Sequence, residues 1–323
     1  MIEITDLRKN FGDKKAVDGI SFTVSEGEIL GFLGPNGAGK STTLNILTGY
    51  LSASSGSAKI DGIDILDDPL GAKKNIGFLP EIPPLYPEMT VNEYLSFVYE
   101  LKGCRLPKKQ HIREVCEVVK IEDVKNRLIK NLSKGYKQRV GIAQALIGNP
   151  KVLIFDEPTI GLDPRQIIEI RNLIRMLGKE HTIILSTHIL PEVQAVCDKI
   201  VVINKGKLVA NEKTEDLINA VEGGRKLIAK IVGPEEEVVK ALKAIGGMKS
   251  VGVIGKRDTD SISYLLESED RVDIRKSLFY TLSSKGWPLI GLEGMELSLE
   301  DIFIRLVGKD KDKDNAKKRK GSK

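Results

Sequence analysis

The stretch Gly34-Pro35-Asn36-Gly37-Ala38-Gly39-Lys40-Ser41 fits the pattern G-x-x-x-x-G-K-[ST], which binds the phosphates of nucleoside triphosphates. Gly37 and Gly39 allow the backbone to turn tightly, so that successive N–H groups point inward at phosphate oxygens. Lys40 places a cation near the β- and γ-phosphates, and the Ser41 hydroxyl is suited to ligate Mg²⁺.

The flanking sequence supports this interpretation of the loop. A buried-strand pattern over residues 28–33 leads into it, and a helix pattern over residues 41–48 leads out of it. The free N–H groups and the dipole at the start of that helix favour an anion. We therefore predict a nucleotide site, with a glycine-rich turn that binds nothing as the alternative.

Length and composition indicate a globular chain of two domains. The sequence has 323 residues, of which 41% are hydrophobic and 29% charged. It shows no apolar run near the ~20 residues of a membrane-spanning helix, and we expect no secretory signal at its start. Cys104, Cys116 and Cys197 lack metal-ligand spacing, which favours a reducing cytosol.

The net positive charge of the chain comes from its C-terminal tail. Residues 308–323 carry eight Lys or Arg and three Asp, a net of +5, which equals the +5 of the whole chain. The remaining residues 1–307 are therefore formally neutral, and a surface that tracks nucleic acid is not expected. We predict that the tail is disordered and solubilising, with weak attraction to anionic lipid headgroups as the alternative.

Two carboxylates follow a second apolar strand pattern, over residues 151–155. In a chain with a phosphate-binding loop, Asp156 at this strand end is expected to hold Mg²⁺ opposite Ser41. Glu157 could orient or deprotonate the attacking water. A merely polar strand end is the alternative.

His188 follows a further buried strand over residues 182–187, where a lone histidine is more often a capping or packing residue.

Two other residues have open roles on residue type alone. Phe11 could belong to the core, which its type favours, or could stack on a purine base. Ser133 is suited to cap the helix that follows it. That helix lies in a mostly helical region, residues 83–148, which interrupts an otherwise alternating strand and helix order. We interpret the region as a helical subdomain inserted into an α/β core.

Together these residues resemble the ATP-binding subunit of ABC transporters over residues 1–220. The motifs occur in the family's order, including the signature Leu132-Ser133-Lys134-Gly135-Tyr136 and the loop Gly161-Leu162-Asp163. The resemblance implies a P-loop ABC ATPase fold and assigns catalysis to Glu157, His188 and Lys40. It assigns Mg²⁺ to Ser41, Glu81 and Asp156. It assigns nucleotide binding to Phe11, Gly34, Pro35, Asn36, Gly37, Ala38, Gly39, Lys40, Ser41, Thr42, Glu81, Ser133, Gly135 and Asp163.

The family's mechanism uses two ATP-binding subunits, a homodimer or a pair, that close head to tail around ATP. Ser133 and Gly135 of one subunit would complete the site of the other, and Glu81 would face a membrane permease. The chain resembles the ABC-2 type exporters, including the gliding-motility ATPase. It departs from the family at Glu81, where Gln is usual, and at Lys134 and Tyr136 of the signature, where Gly and Gln are usual.

The resemblance thus implies an ATPase that drives a separate membrane subunit for export, using ATP and Mg²⁺. It would lie in the cytoplasm, on the inner face of the cell membrane. The competing hypothesis is a soluble ABC ATPase acting on nucleic acid or ribosomes, but such proteins tend to have two cassettes or long coiled-coil insertions. A P-loop kinase or GTPase would not require a signature helix.

Residues 221–307 show a second pattern, in the order β-α-β-β-α-β. Such an order predicts a ferredoxin-like α+β domain, resembling the C-terminal extension of many ABC-2 type ATPases. The strand patterns cover residues 226–232, 250–254, 261–266 and 287–292, and the helix patterns cover residues 235–245 and 272–284. A last amphipathic helix is predicted after residue 298. We expect a role in packing or dimer support, with a regulatory ligand site as the alternative.

Overall fold

The computed structural model describes residues 1–214, 226–256, 261–269 and 272–295. The chain forms two compact units, Met1–Thr214 and Glu215–Lys323. The predicted domain boundaries at residues 220 and 307, the last predicted helix and the basic tail lie outside the described residues.

The first unit alternates strands and helices for most of its length. Its elements in chain order are β1 (Ile2–Phe11), β2 (Lys14–Val24), β3 (Ile29–Leu33), α1 (Lys40–Leu47), β4 (Ser55–Ile60), β5 (Ile63–Asp64), α2 (Pro69–Lys74), β6 (Ile76–Leu79), α3 (Val91–Leu101), α4 (Lys108–Val119), α5 (Lys134–Leu146), β7 (Val152–Asp156), α6 (Pro164–Leu177), β8 (Thr182–Thr187), α7 (Leu190–Val196), β9 (Lys199–Asn204) and β10 (Lys207–Lys213).

The central sheet has the strand order β10-β9-β3-β8-β7-β6. The pairs from β9 to β6 are parallel, and β10 joins β9 as an antiparallel hairpin. Every residue of β3, β7 and β8 is buried, as expected for parallel strands covered on both faces. This order places the carboxyl ends of the three strands side by side, and ligands of open α/β sheets bind at such an edge.

A smaller antiparallel sheet has the order β2-β1-β4-β5. In this sheet, pairing of the β1–β2 hairpin continues to Phe11 and Lys14 at the turn. Phe11 is therefore the last residue of a strand and stands near the tip of the hairpin. Side chains from this sheet and from the central sheet share one apolar core.

The segment between β6 and β7 holds α3, α4 and α5, in agreement with the predicted helical insertion. A capping box starts α3: the Thr90 side chain accepts from the Glu93 N–H, and the Glu93 side chain accepts from the Thr90 N–H. At the other end of α3, the half-buried Lys102 side chain donates to the carbonyls of Gln144, Ala145 and Ile147. It thereby satisfies carbonyls that the last turn of α5 leaves without helical partners.

The second unit has the predicted β-α-β-β-α-β order. Its described elements are β11 (Lys226–Ile231), α8 (Glu235–Lys243), β12 (Met248–Lys256), β13 (Ile262–Ser268), α9 (Arg275–Ser284) and β14 (Leu289–Met295). The strands form an antiparallel sheet in the order β12-β13-β11-β14. Its core includes Tyr264, Leu242 and Leu278. The ferredoxin-like prediction is confirmed, with element ends moved by a few residues.

In the part of the chain that the structure describes, no helix combines the length and the apolar character needed to cross a bilayer.

Candidate functional site

A cavity of about 540 Å³ lies at the phosphate-binding loop, beside the carboxyl ends of β3, β7 and β8. Most of the predicted nucleotide and catalytic residues line it, although they come from widely separated parts of the chain. They are Phe11, Pro35, Asn36, Gly37, Gly39, Lys40, Ser41, Thr42, Glu81, Glu157 and His188.

The backbone of the loop is held by close packing. Gly39 has a φ of +112°, and a Cβ there would lie 2.5 Å from the Ala16 carbonyl oxygen, so a larger residue would displace the loop. Gly39 is also the N-cap of α1, and within the described residues no side chain caps its N–H groups. Those N–H groups remain available to an anion. Gly34 and Ala38 lie behind the cavity wall as packing residues.

Lys40 is buried at the base of the cavity. Its ammonium donates to the Gly34 carbonyl at 2.6 Å and lies 3.9 Å from Glu157 Oε1. Burial lowers the pKa of Lys40, and the charges of Glu157, Asp156 and Glu81 oppose that change. The three carboxylates therefore face one lysine, and a bound polyphosphate would compete with them for its charge.

Glu157 and His188 form a contact across two strand ends. The His188 ring Nδ1 lies 2.9 Å from Glu157 Oε1 and 3.0 Å from Oε2. Because an ionised carboxylate only accepts, Nδ1 donates and Nε2 is left for a ligand. The Glu157 N–H donates to the Ser186 carbonyl at 2.9 Å, and the Glu157 φ of +50° is in the left-handed region. His188 thus contacts a carboxylate in the cavity, rather than only packing against the strand end.

Asp156 has the properties of a metal ligand. It ends β7 as a buried residue, and its Oδ1 has no hydrogen-bond partner among the residues that the structure describes. An unpaired buried carboxylate oxygen is costly, and Mg²⁺ prefers oxygen ligands of this kind. Ser41 and Glu81 line the adjoining cavity. These side chains fit a magnesium ion bound together with a triphosphate.

Three predicted residues lie outside the cavity and near one another. Ser133 caps α5 by accepting from the Tyr136 N–H at 3.4 Å, and Asp163 caps α6 by accepting from the Gln166 N–H at 3.0 Å. Gly135 packs on the Gln166 side chain, where a Cβ would lie 2.6 Å from Oε1. The starts of two helices therefore meet at a second place in the same chain.

The cavity also contains residues that the sequence analysis did not identify, namely Lys14, Lys15, Ala16, Ile160 and Lys205. Lys14 and Lys15 could have been suspected, since they follow Phe11 in a short hairpin. Lys205 lies in the β9–β10 turn, and only the fold brings it to the loop. The assignment of Phe11 to the core, favoured by residue type, is wrong: the side chain is 49% exposed and faces the cavity.

Comparisons with known proteins give consistent results. A family profile described as "ABC transporter" matches residues 17–160. The bacitracin transport ATP-binding protein BcrA of Bacillus licheniformis is 41% identical over 310 residues, which are 95% of this chain and 97% of BcrA. The Nod factor export ATP-binding protein I of Rhizobium etli is 32% identical, over 97% of this chain and 95% of that protein.

A solved structure of a dimeric ATP-binding cassette, in a post-hydrolysis state with ADP and Pi, is also similar. It superposes with a TM-score of 0.60 at 28% sequence identity, over 66% of this chain and 98% of that chain.

Proposed function

The chain belongs to the ATP-binding proteins of ABC transporters, and we propose that its cavity hydrolyses ATP with Glu157 as the general base. The observation that carries the assignment is the buried Glu157 carboxylate, held by His188 and 3.9 Å from Lys40. A base must lie within reach of the water it activates, and Glu157 lines the cavity in which the phosphates would lie.

In the proposed reaction Glu157 takes a proton from water, whose oxygen forms a bond to the γ-phosphorus of ATP. The bond from that phosphorus to the ADP oxygen breaks, which gives ADP and phosphate. Lys40 and the N–H groups at the start of α1 would hold the phosphates, and His188, which lines the same cavity, would contact the γ-phosphate. Phe11 provides a flat face for adenine.

Magnesium would be held by Asp156, Ser41 and Glu81. When bound, it neutralises charge on the β- and γ-phosphates. Glu81, which stands where the family has Gln, adds a negative charge that the ion would offset.

The second surface, formed by Ser133, Gly135 and Asp163, supports a site shared between two copies of the chain. Ser133 and Gly135 start α5, whose dipole favours an anion, yet they lie outside the chain's own cavity. A head-to-tail dimer would bring them to the γ-phosphate in the partner's cavity. The dimeric relative with ADP and Pi supports this arrangement.

We propose that the partner driven by ATP hydrolysis is a membrane permease. On and near α3 the apolar side chains Ile82, Tyr86, Phe97 and Leu101 are exposed, and the rings of Tyr86 and Phe97 lie 5.5 Å apart. Exposed apolar patches of this kind mark interaction surfaces. The export role named for the Rhizobium relative favours export, and the chain would then lie on the cytoplasmic side of the cell membrane.

One experiment tests the base and the shared site together. Glu157→Gln should bind ATP, lose nearly all hydrolysis, and accumulate dimers with ATP in size-exclusion chromatography. Adding Ser133→Ala should reduce those dimers, whereas the control Ser277→Ala in the second unit should not. Turnover near that of the unmodified chain in Glu157→Gln would refute the base. Undiminished dimers in the double variant would refute the shared site.

A further inference from the structure

A buried carboxylate outside the cavity contacts both strand ends that carry the proposed catalytic pair. Glu192 lies in α7, and its side chain is 1% exposed. Its Oε1 accepts from the Thr159 hydroxyl at 2.5 Å, and its Oε2 accepts from the Thr187 hydroxyl at 3.0 Å. The Arg171 guanidinium lies 3.9 Å from Oε1 and offsets part of the charge.

Both threonines lie close in the chain to the proposed catalytic residues. Thr159 comes two residues after Glu157, in the turn where the Ile160 N–H donates to the Glu157 carbonyl at 3.2 Å. Thr187 ends β8 and directly precedes His188, and its hydroxyl also accepts from the Ile189 N–H at 3.1 Å. One carboxylate therefore contacts both the turn that follows Glu157 and the residue that precedes His188.

The backbone at Glu157 needs such support. A non-glycine residue with a φ of +50° is strained, and strain of this kind persists only where the surroundings determine the conformation. Burying an ionised carboxylate is also costly unless it is paired and hydrogen-bonded. Two hydroxyl donors and the nearby Arg171 guanidinium supply that pairing; Thr159 follows β7, Thr187 ends β8 and Arg171 lies in α6.

We propose that Glu192 is a positioning residue for ATP hydrolysis, which sets the geometry of the Glu157–His188 pair through Thr159 and Thr187. The proposal rests on the proposed role of Glu157 as base. Glu192 does not line the cavity and has no part in holding the nucleotide. Its loss should therefore reduce the rate of the chemical step and leave ATP affinity unchanged.

The test is Glu192→Gln in the full-length chain, because the amide keeps the shape but replaces one of the two oxygens that accept from the threonines with an NH2 donor. We expect kcat to fall about tenfold to a hundredfold, as when a supporting residue behind a catalytic group is lost. Affinity for ATP should stay within about twofold, and Glu180→Gln, the same change at an exposed carboxylate, should leave both constants unchanged.

The same change made in the Glu157→Gln variant distinguishes a positioning role of Glu192 from a general effect on stability. If Glu192 acts through Glu157, adding Glu192→Gln to Glu157→Gln should cause no further loss in the single-turnover rate. An equal loss in that background, an unchanged kcat in Glu192→Gln, or a parallel loss of ATP affinity would overturn the proposal. Near-normal turnover in Glu157→Gln alone would instead overturn the proposed base.

If Glu192→Gln does not fold, the threonine provides the test. Thr159→Val removes the hydroxyl with little change of shape and should lower kcat, while Thr159→Ser, which keeps the hydroxyl, should recover it. Equal turnover in the two variants would overturn the proposal.

Discussion

Phe11 is the side chain by which the cavity would recognise the adenine base, as distinct from the phosphates. The ring is 49% exposed, lines the cavity, and has the Lys9 ammonium 5.2 Å from its centroid. Stacking of a base on an aromatic ring contributes about 1–3 kcal/mol. At 1.4 kcal/mol per factor of ten, Phe11→Ala should weaken ATP binding by roughly 5- to 150-fold.

The cost to stability should be smaller than the cost to binding. About half of the side chain is already in solvent, so truncation loses about half of the ~1.5–3 kcal/mol that full burial contributes, or about 1 kcal/mol. Phe279→Ala is a matched control, since that ring is 57% exposed in the second unit. It should leave nucleotide affinity unchanged.

The informative assay compares two ligands by calorimetry, ATP and inorganic tripolyphosphate. Phe11→Ala should weaken ATP binding and leave tripolyphosphate binding unchanged, because the ring would contact only the base. Phe11→Trp should restore ATP affinity. An equal loss for both ligands would show that the ring supports the phosphate loop, and no loss for ATP would show that adenine lies elsewhere.

Two further predictions concern stability. Thr90→Ala breaks the capping box of α3 and should lower the free energy of unfolding, measured by urea titration, by about 1 kcal/mol. Thr90→Ser keeps the hydroxyl and should retain most of the stability of the unmodified chain. Equal stability of the two variants would contradict the assignment of the cap. The second prediction concerns Lys102, whose pKa burial lowers from 10.5 to about 8. Between about pH 8 and pH 10.5 the unfolded chain therefore binds more protons at this lysine than the native chain does. The free energy of unfolding should for that reason rise with pH across this range. Lys102→Met should remove this rise, which amounts to up to about 3 kcal/mol. The same change at an exposed lysine, Lys109→Met, should leave it in place. Matching pH profiles of unfolding for Lys102→Met and the unmodified chain would refute the prediction.

The sequence was sufficient for those parts of the molecule that depend on local pattern. The phosphate loop, the capping box at Thr90 and the apolar strands β7 and β8 each have a signal within a few residues. Phe11 was ambiguous by residue type, because an aromatic side chain suits a core and a cavity wall equally well. Only the hairpin pairing places it at the rim.

Residues that act through tertiary contacts had no such signal. Lys205 reaches the cavity because β9 pairs with β3, far from it in the chain. Glu192 reads in the sequence as an ordinary charge at the start of a short helix, and its burial depends on Thr159, Thr187 and Arg171. The short helix α2 was not predicted, because two turns carry little periodicity.

The left-handed backbone at Glu157 sets catalysis against thermostability. Holding a non-glycine residue at that φ costs of order 1–3 kcal/mol, which a glycine at the same position would not incur. Selection for heat resistance alone would therefore favour loss of the proposed base. Proteins that retain glutamate at this position are therefore less stable than they could be, and the residue is kept for turnover. Engineering of the chain for thermostability should leave Glu157 unchanged.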